Sequence, residues 1–346
     1  MVMGSYGLSL AANKNDIRLT YARMLDKTQC PATPVGRPAP CPPAAKRPRG
    51  MSVTQIERWM KDPYHIYARY ILGLETLDEI DEKPSNKELG TFIHDILDRF
   101  IAAYPADLPP TAEARTAFLD MARTVLQDHI ETPRLWAFWW PRIERIADWF
   151  ITHEQQWREK ARPLLREQRG QAAIPYTDHA ANDKTFNISA RVDRIDLLHD
   201  SGAQTGHRLA VIDYKTGASI AKSHVQNGLS PQLPLTALIL KQGGFPDVAT
   251  EPHLIHPAYI GYWYVKGSRQ DGDAQNVTAD DMDTLIAETQ DGLAALVRAF
   301  DDDNTPYYSL PRPQIAPPAH YQDYAHLARV KEWSAFDDTD SEGGGS

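Results

Sequence analysis

Residues 186–215 constrain the fold more than any other stretch: FNISARVDRIDLL, then the turn-forming HDSGAQTG, then HRLAVIDYK. The first segment alternates apolar and polar residues, the period of a half-buried strand. The last holds a short apolar run, as a buried central strand does. Turn-formers between them predict an antiparallel hairpin. In a strand, residues i and i+2 face the same way, so Asp213 and Lys215 project side by side. That pattern is also the pattern of a surface ion pair. Val211 and Ile212 bury this strand, however, and a buried charged pair is costly unless it has a task. Across the hairpin, Asp193 comes near Asp213. Two carboxylates that close repel unless a cation lies between them. Oxygen ligands of this kind favour Mg²⁺ or Mn²⁺. Lys215 would then orient and polarise an attacking water or help neutralise a phosphate. Asp196 faces away from Asp193 and reads as structural, paired with Arg194 or Arg191.

Three more residues are candidates for the same chemistry. Gly90 stands one turn before His94 on a helix spanning ELGTFIHDILDRFIAAY, where a glycine allows the close packing that would bring the imidazole to a metal. Alone, such a histidine reads equally as a surface or core residue. Glu167 lies in REQRGQ, where the helical pattern gives way to the sheet, and could be a second carboxylate of the site. Gln232 sits near the start of the helix PQLPLTALILKQ, and its amide could bond a phosphate or a water.

The remaining pattern is mostly helical. Ser52 with Gln55 forms a capping box before VTQIERWMKDPYHIYARYIL, which breaks at Pro63. Residues 111–131 and 136–164 read as two helices, and 278–301 as a long amphipathic one. Trp136, Phe138, Trp139, Trp140, Trp149 and Phe150 read as core, with a base-stacking platform as the alternative. AYIGYWYVKG is a strand. The order predicts an α/β fold: a small mixed central sheet flanked by helices, with a helical subdomain inserted at about 105–165. Residues 31–49 read as a Pro-rich solvated linker whose Lys46, Arg47 and Arg49 could also strap a phosphate. The expected organisation is 1–50, then one domain over 51–335, then a disordered acidic tail over 336–346.

Bulk properties narrow the class. No apolar run approaches the roughly 18 residues of a membrane span, and the start lacks a secretory pattern, so a reducing cytoplasm is expected. The net charge of −9 argues against a protein that coats DNA, while leaving room for a local basic groove or a partner that brings the DNA. Cys30 and Cys41 are the only cysteines among 346 residues, too few for an iron–sulfur cluster held by four. No G-x-x-x-x-G-K-[ST] phosphate loop occurs, so no ATP site is expected.

In chain order, GTFIH, a glutamate, VDRID, IDYKTG and QLPL resemble the RecB-like branch of the PD-(D/E)XK nucleases. The likeness is closer to the C-terminal part of AddB-type double-strand-break repair proteins. SVTQIERWMKDPYHIYARYILGL, AFWWPRIERIADWF and DYAHLARVKEW extend it across residues 52–333. The resemblance implies a restriction-endonuclease-like core and a metal-dependent deoxyribonuclease that processes DNA ends beside a helicase partner of AddA type. It implies His94, Asp193, Asp213 and the Tyr214 carbonyl as metal ligands. Glu167 and Lys215 would complete the site, and Gln232 would belong to its glutamine-bearing helix. Two departures stand out. Thr236 replaces a larger polar residue or tyrosine. The four cluster-binding cysteines of many relatives are missing, so direct packing is expected to hold the C-terminal segment. Residues 16–29 faintly resemble the end of a helicase region, which suggests a fragment or split-gene product. The competing readings are a non-catalytic module that binds DNA ends or a partner protein, and a stand-alone exonuclease of the CRISPR-adaptation or phage type.

Overall fold

The computed structural model describes residues 17, 20, 21, 24, 36–76, 86–127, 133–199, 206–248, 251–267, 272–278, 281–317 and 322–337. The chain divides into two units, Pro38–Ala328 and a smaller one of Met1–Arg37 with Arg329–Ser346. The smaller unit contains the helix Val330–Asp337, where the Arg37 guanidinium lies 4.6 Å over the Trp333 ring. No helix among the described residues is long and apolar enough to cross a membrane.

The larger unit is built on a six-stranded mixed sheet. Its strands are β1 (Gly50–Ser52), β2 (Ala161–Thr177), β3 (Asp183–Leu198), β4 (His207–Lys215), β5 (Ile255–Tyr264) and β6 (Asp273–Asn276). The order runs β1-β3-β4-β5-β6, with β2 also paired to β3. β3 and β4 form the expected antiparallel pair, while β4 and β5 run parallel. The apolar run of β4 splits by strand alternation: Leu209 and Val211 enter one core, Ala210 and Ile212 the other.

Helices cover both faces. On one side lie α1 (Val53–Lys61), α2 (Pro63–Ile66), α6 (Lys222–Gln226), α7 (Gln232–Lys241) and α8 (Met282–Phe300). On the other lie α3 (Asn86–Ala103), α4 (Thr111–Gln127) and α5 (Pro133–Arg158), which form the inserted helical layer. α7 is buried nearly all round, with Leu233, Leu235, Leu238, Ile239 and Leu240 each at most 2% exposed, which explains its continuous apolar sequence.

Several expectations are corrected. The helix expected over 136–164 ends at Arg158, and β2 follows as a long strand that the sequence conceals. β2 hides because its alternation changes phase. Leu165 and Gly170, an odd number apart, both turn toward the α7 side, and Glu167 between them has φ 50°. The capping box is half formed: Gln55 N–H donates to Ser52 Oγ, but Gln55 Oε1 is buried without a partner. The solvated-linker reading fails at Arg47, which is 4% exposed and donates to the carbonyls of Pro42, Phe300 and Asp303. Among the aromatics read as core, Trp139 and Phe150 are buried but Phe138 is 68% exposed. The expected tail begins inside a helix that reaches Asp337, and its remainder lies outside the described residues. So do most of the helicase-like stretch 16–29 and the turn at 200–205.

Candidate active site

The site forms where two strands part. β3 pairs with β4 only from Leu197 to Arg194, opposite Leu209 to Ile212. β4 continues beyond that point while still held by β5 on its other side, Asp213 beside Tyr262 and Lys215 beside Tyr264. Asp193 therefore reaches into an opening rather than a ladder. Its Oδ2 accepts the Tyr214 backbone N–H at 2.7 Å. The Lys215 carbonyl accepts from Val265 N–H on the β5 side. By strand alternation, the Tyr214 carbonyl then faces the β3 side, the same side as its own N–H.

Asp213 and Lys215 lie on the α7 face of β4. Asp213 is 8% exposed, and its Oδ2 is 2.7 Å from Lys215 Nζ. Gln232, the first residue of α7, bridges the pair. Its Nε2 donates to Asp213 Oδ1 at 2.7 Å, and its Oε1 accepts from Lys215 at 3.3 Å. Burial pushes the Asp213 carboxyl up to about 6, against the opposing pull of Lys215. Burial would lower the Lys215 ammonium, but Asp213 beside it outweighs that and leaves it raised. Tyr262 was not singled out by sequence reasoning. Its ring lies 5.4 Å from Lys215 Nζ, and its hydroxyl is buried without a hydrogen-bond partner. Its place beside Asp213 is set by the β4–β5 register, which the sequence does not specify.

His94 and Glu167 approach from the other side of Asp193. His94 Nδ1 is 3.5 Å from Asp193 Oδ1, and one ligand atom each from His94, Glu167 and Asp193 lie within 4.8 Å of one another. α3 can come this close because of Gly90, where a Cβ would meet Thr216 Oγ1 at 3.0 Å. Burial lowers the His94 imidazole, but its hydrogen bond to Asp193 and the charges of Asp193, Asp213 and Glu167 outweigh burial and raise it. Burial, then the Asp193 charge, raises the Glu167 carboxyl, while Arg191 2.7 Å away opposes them. The left-handed backbone of Glu167 costs about 1 kcal/mol in a non-glycine residue. It occurs in the β2 residue that faces Asp193, between the pairs Arg166–Arg194 and Gln168–Val192. Strain at such a position commonly marks a functional constraint.

Behind the site, Arg194 is 1% exposed and fully paired. It donates to Glu154 at 2.6 and 3.0 Å and to Asp196 at 2.6 Å. Trp157 Nε1 donates to the other oxygen of Asp196 at 2.6 Å. Asp196 thus pairs with Arg194, one of the two partners the sequence suggested. Glu154 and Trp157 were missed, because nothing in a polar helical run distinguishes the carboxylate that will be buried.

The donor set suits a hard divalent cation: one imidazole and several carboxylate oxygens. Asp213 Oδ2 is buried, with the Lys215 ammonium 2.7 Å away as its partner. His94, Glu167 and Asp193 bring three ligand atoms within 4.8 Å of one another, a spacing a bound cation can bridge, and Asp213 is not part of that cluster.

Comparison with known proteins identifies the family. The sequence profile described as "PD-(D/E)XK nuclease superfamily" matches residues 50–310. An uncharacterized protein of Rickettsia bellii is 27% identical over 288 residues, covering 81% of this chain and 32% of that protein. A subunit of the ATP-dependent helicase/deoxyribonuclease of Lachnoclostridium phytofermentans is 28% identical over 232 residues, 61% of this chain and 18% of that protein. Its namesake from Clostridium acetobutylicum is 26% identical over 201 residues, 54% and 17% respectively. The chain spans about a third or less of the length of these curated relatives. The profile covers well over half of the chain, and the six-stranded mixed sheet flanked by helices is of the restriction-endonuclease-like kind. The chain belongs to the PD-(D/E)XK nuclease superfamily.

Proposed function

We propose that this chain hydrolyses DNA phosphodiester bonds with Mg²⁺ or Mn²⁺ held by His94, Asp193, Asp213 and the Tyr214 carbonyl. The observation that carries the reading is the convergence of Asp193, Asp213 and Lys215 at the parting of β3 and β4. A divalent cation bound there supplies a water of lowered pKa and positive charge beside the phosphate. The remaining work falls to side chains. Lys215, kept cationic by Asp213, is suited to orient the attacking water and neutralise phosphate charge rather than to accept a proton. Gln232 holds Asp213 and Lys215 in one geometry. Glu167, with its raised carboxyl, is the better placed proton acceptor.

The resemblance to AddB-type proteins extends this proposal to preparing double-strand-break ends for recombination beside a helicase partner of AddA type, and the relatives named as a subunit of an ATP-dependent helicase/deoxyribonuclease support the pairing with a helicase. The test is cleavage of linear single- and double-stranded DNA with Mg²⁺ or Mn²⁺, with Lys215→Ala and Asp213→Ala alongside. Both variants are expected to lose at least a hundredfold in rate while melting as cooperatively as the parent. Retained cleavage in both would remove these residues from the centre. Inactivity of the parent even with a helicase partner would leave only a binding module.

A further inference from the structure

We infer that the uncovered face of the β2–β3 ribbon is a track for the sugar–phosphate backbone of one DNA strand, leading away from the catalytic carboxylates. This rests on the nuclease reading above and adds where the substrate runs.

Beyond the Glu167–Asp193 position, β2 and β3 stay paired from Gln168 and Val192 to Thr177 and Asp183. One face of this ribbon is core: Ile174, Tyr176, Phe186 and Ile188 are each at most 6% exposed. The opposite face carries Arg169, Gln171, Asn187, Ser189 and Arg191, all exposed. β1 widens it, with Gly50 beside Asn187 and Ser52 beside Ser189. At roughly 3.3 Å per residue, the strip from Arg169 to Thr177 is about 26 Å long; two strands make it about 5 Å wide, and about 10 Å where β1 joins at Asn187 to Ser189. That is the shape of a bed for one extended strand.

Charge selects the occupant. The chain has 46 acidic against 37 basic residues, yet β2 and β3 carry no carboxylate on this strip between Glu167–Asp193 at one end and Asp183 at the other. Gln171, Thr177, Thr185, Asn187 and Ser189 on it carry hydrogen-bonding side chains, the kind that contact phosphate and sugar oxygens, with Ala173 and Pro175 between them. Arg169 stands directly opposite Arg191 in the ladder. Like charges placed so are destabilising, and an anion between them relieves the repulsion. Arg191 is engaged by Glu167, whereas Arg169 has no ion pair among the described residues. The strip is also continuous with the site, because Arg191 on it ion-pairs with Glu167 within it.

Binding of a fluorescent 20-nucleotide oligo(dT), followed by anisotropy in Ca²⁺ across a salt series, tests this. The proteins compared are the parent, Arg169→Ala, Asn187→Glu and, as a control on α7, Lys241→Ala, each first shown to melt cooperatively. Arg169→Ala is expected to weaken binding about tenfold at low salt and lower the salt slope by about 1. Asn187→Glu should weaken it at least as much, and Lys241→Ala by less than twofold. Unchanged affinity in both ribbon variants, or no binding by the parent, would overturn the track and leave the strip to a protein segment. Parent hydrolysis of bis(p-nitrophenyl) phosphate with Mn²⁺ reports the chemical centre alone. Its absence would count against the nuclease reading without touching the binding comparison.

Discussion

At the scale of single residues, the site is defined by charges that the fold holds away from water. Asp213 shows what this costs. Its carboxyl is raised to about 6 from an ordinary value of 3.8, so the folded protein binds that proton more tightly than the unfolded chain does. The associated stabilisation is complete below the ordinary value and disappears as pH rises through about 6. Above that, the metal-free protein carries a buried carboxylate that Lys215 only partly compensates. A cation binding there must displace the proton. Mg²⁺ affinity is therefore expected to be about tenfold weaker at pH 5 than at pH 7.5, read by calorimetry together with proton release. A pH-independent affinity would take Asp213 out of the ligand set. Glu167 illustrates the other kind of cost, a left-handed backbone that turns its carboxylate toward His94 and Asp193.

Among elements, the decisive device is a shift in strand phase. Val192 and Ile195, three residues apart, enter the same core, while Arg194 between them turns to the α5 side. With Glu167 opposite in β2, the ribbon changes face at the point where β3 and β4 separate. The Arg194–Glu154–Asp196 cluster fastens that point to α5 from behind. Removing Arg194 would leave buried Asp196 without its cation and Glu154 with Arg158 alone. Arg194→Met is expected to cost about 3–5 kcal/mol by urea denaturation. Combining it with Glu154→Gln and Asp196→Asn should recover more than half of that loss. A single-variant cost below about 1 kcal/mol would show that water reaches the cluster.

For the whole molecule, Tyr308, Leu310 and Tyr324 are held against the N-terminal segment Asp62 to Leu74. The contacts are polar and specific. Leu310 N–H donates to Asp62, Tyr64 N–H to the Tyr308 carbonyl, and Tyr324 hydroxyl to the Leu74 carbonyl at 2.6 Å. His65 is 3% exposed beneath Tyr324, with ring centroids 5.1 Å apart. Burial, with help from Arg58 and against Asp323, pulls its imidazole down to about 4. A depressed base is neutral in the fold and must be charged on acidification. Its contribution is intact above about 6.5 and is lost as pH falls from there toward 4, a drop of about 3 kcal/mol. His65→Phe, which keeps the ring contact, should flatten the fall in urea midpoint between pH 7 and pH 4.5. An unchanged slope would assign the acid sensitivity elsewhere.

Local periodicity was enough to reveal the β3–β4 hairpin, the side-by-side Asp213 and Lys215, and the helices around them. Those features depend on which face each residue must bury, and alternation records that directly. The family was legible in the spacing of VDRID, DYKTG and QLPL, because a site drawn from neighbouring strands and one helix keeps its residues in order along the chain. What sequence could not supply was every feature that depends on broken alternation or distant pairing. β2 escaped notice because its phase changes at Glu167, so no single period runs through it. Glu154 and Trp157 on α5, and Tyr262 on β5, acquire their positions only when separate layers close on the sheet. The burial of Arg47 depends on carbonyls more than 250 residues away. Patterning decides which way a residue faces, whereas only tertiary packing decides which partner meets it there.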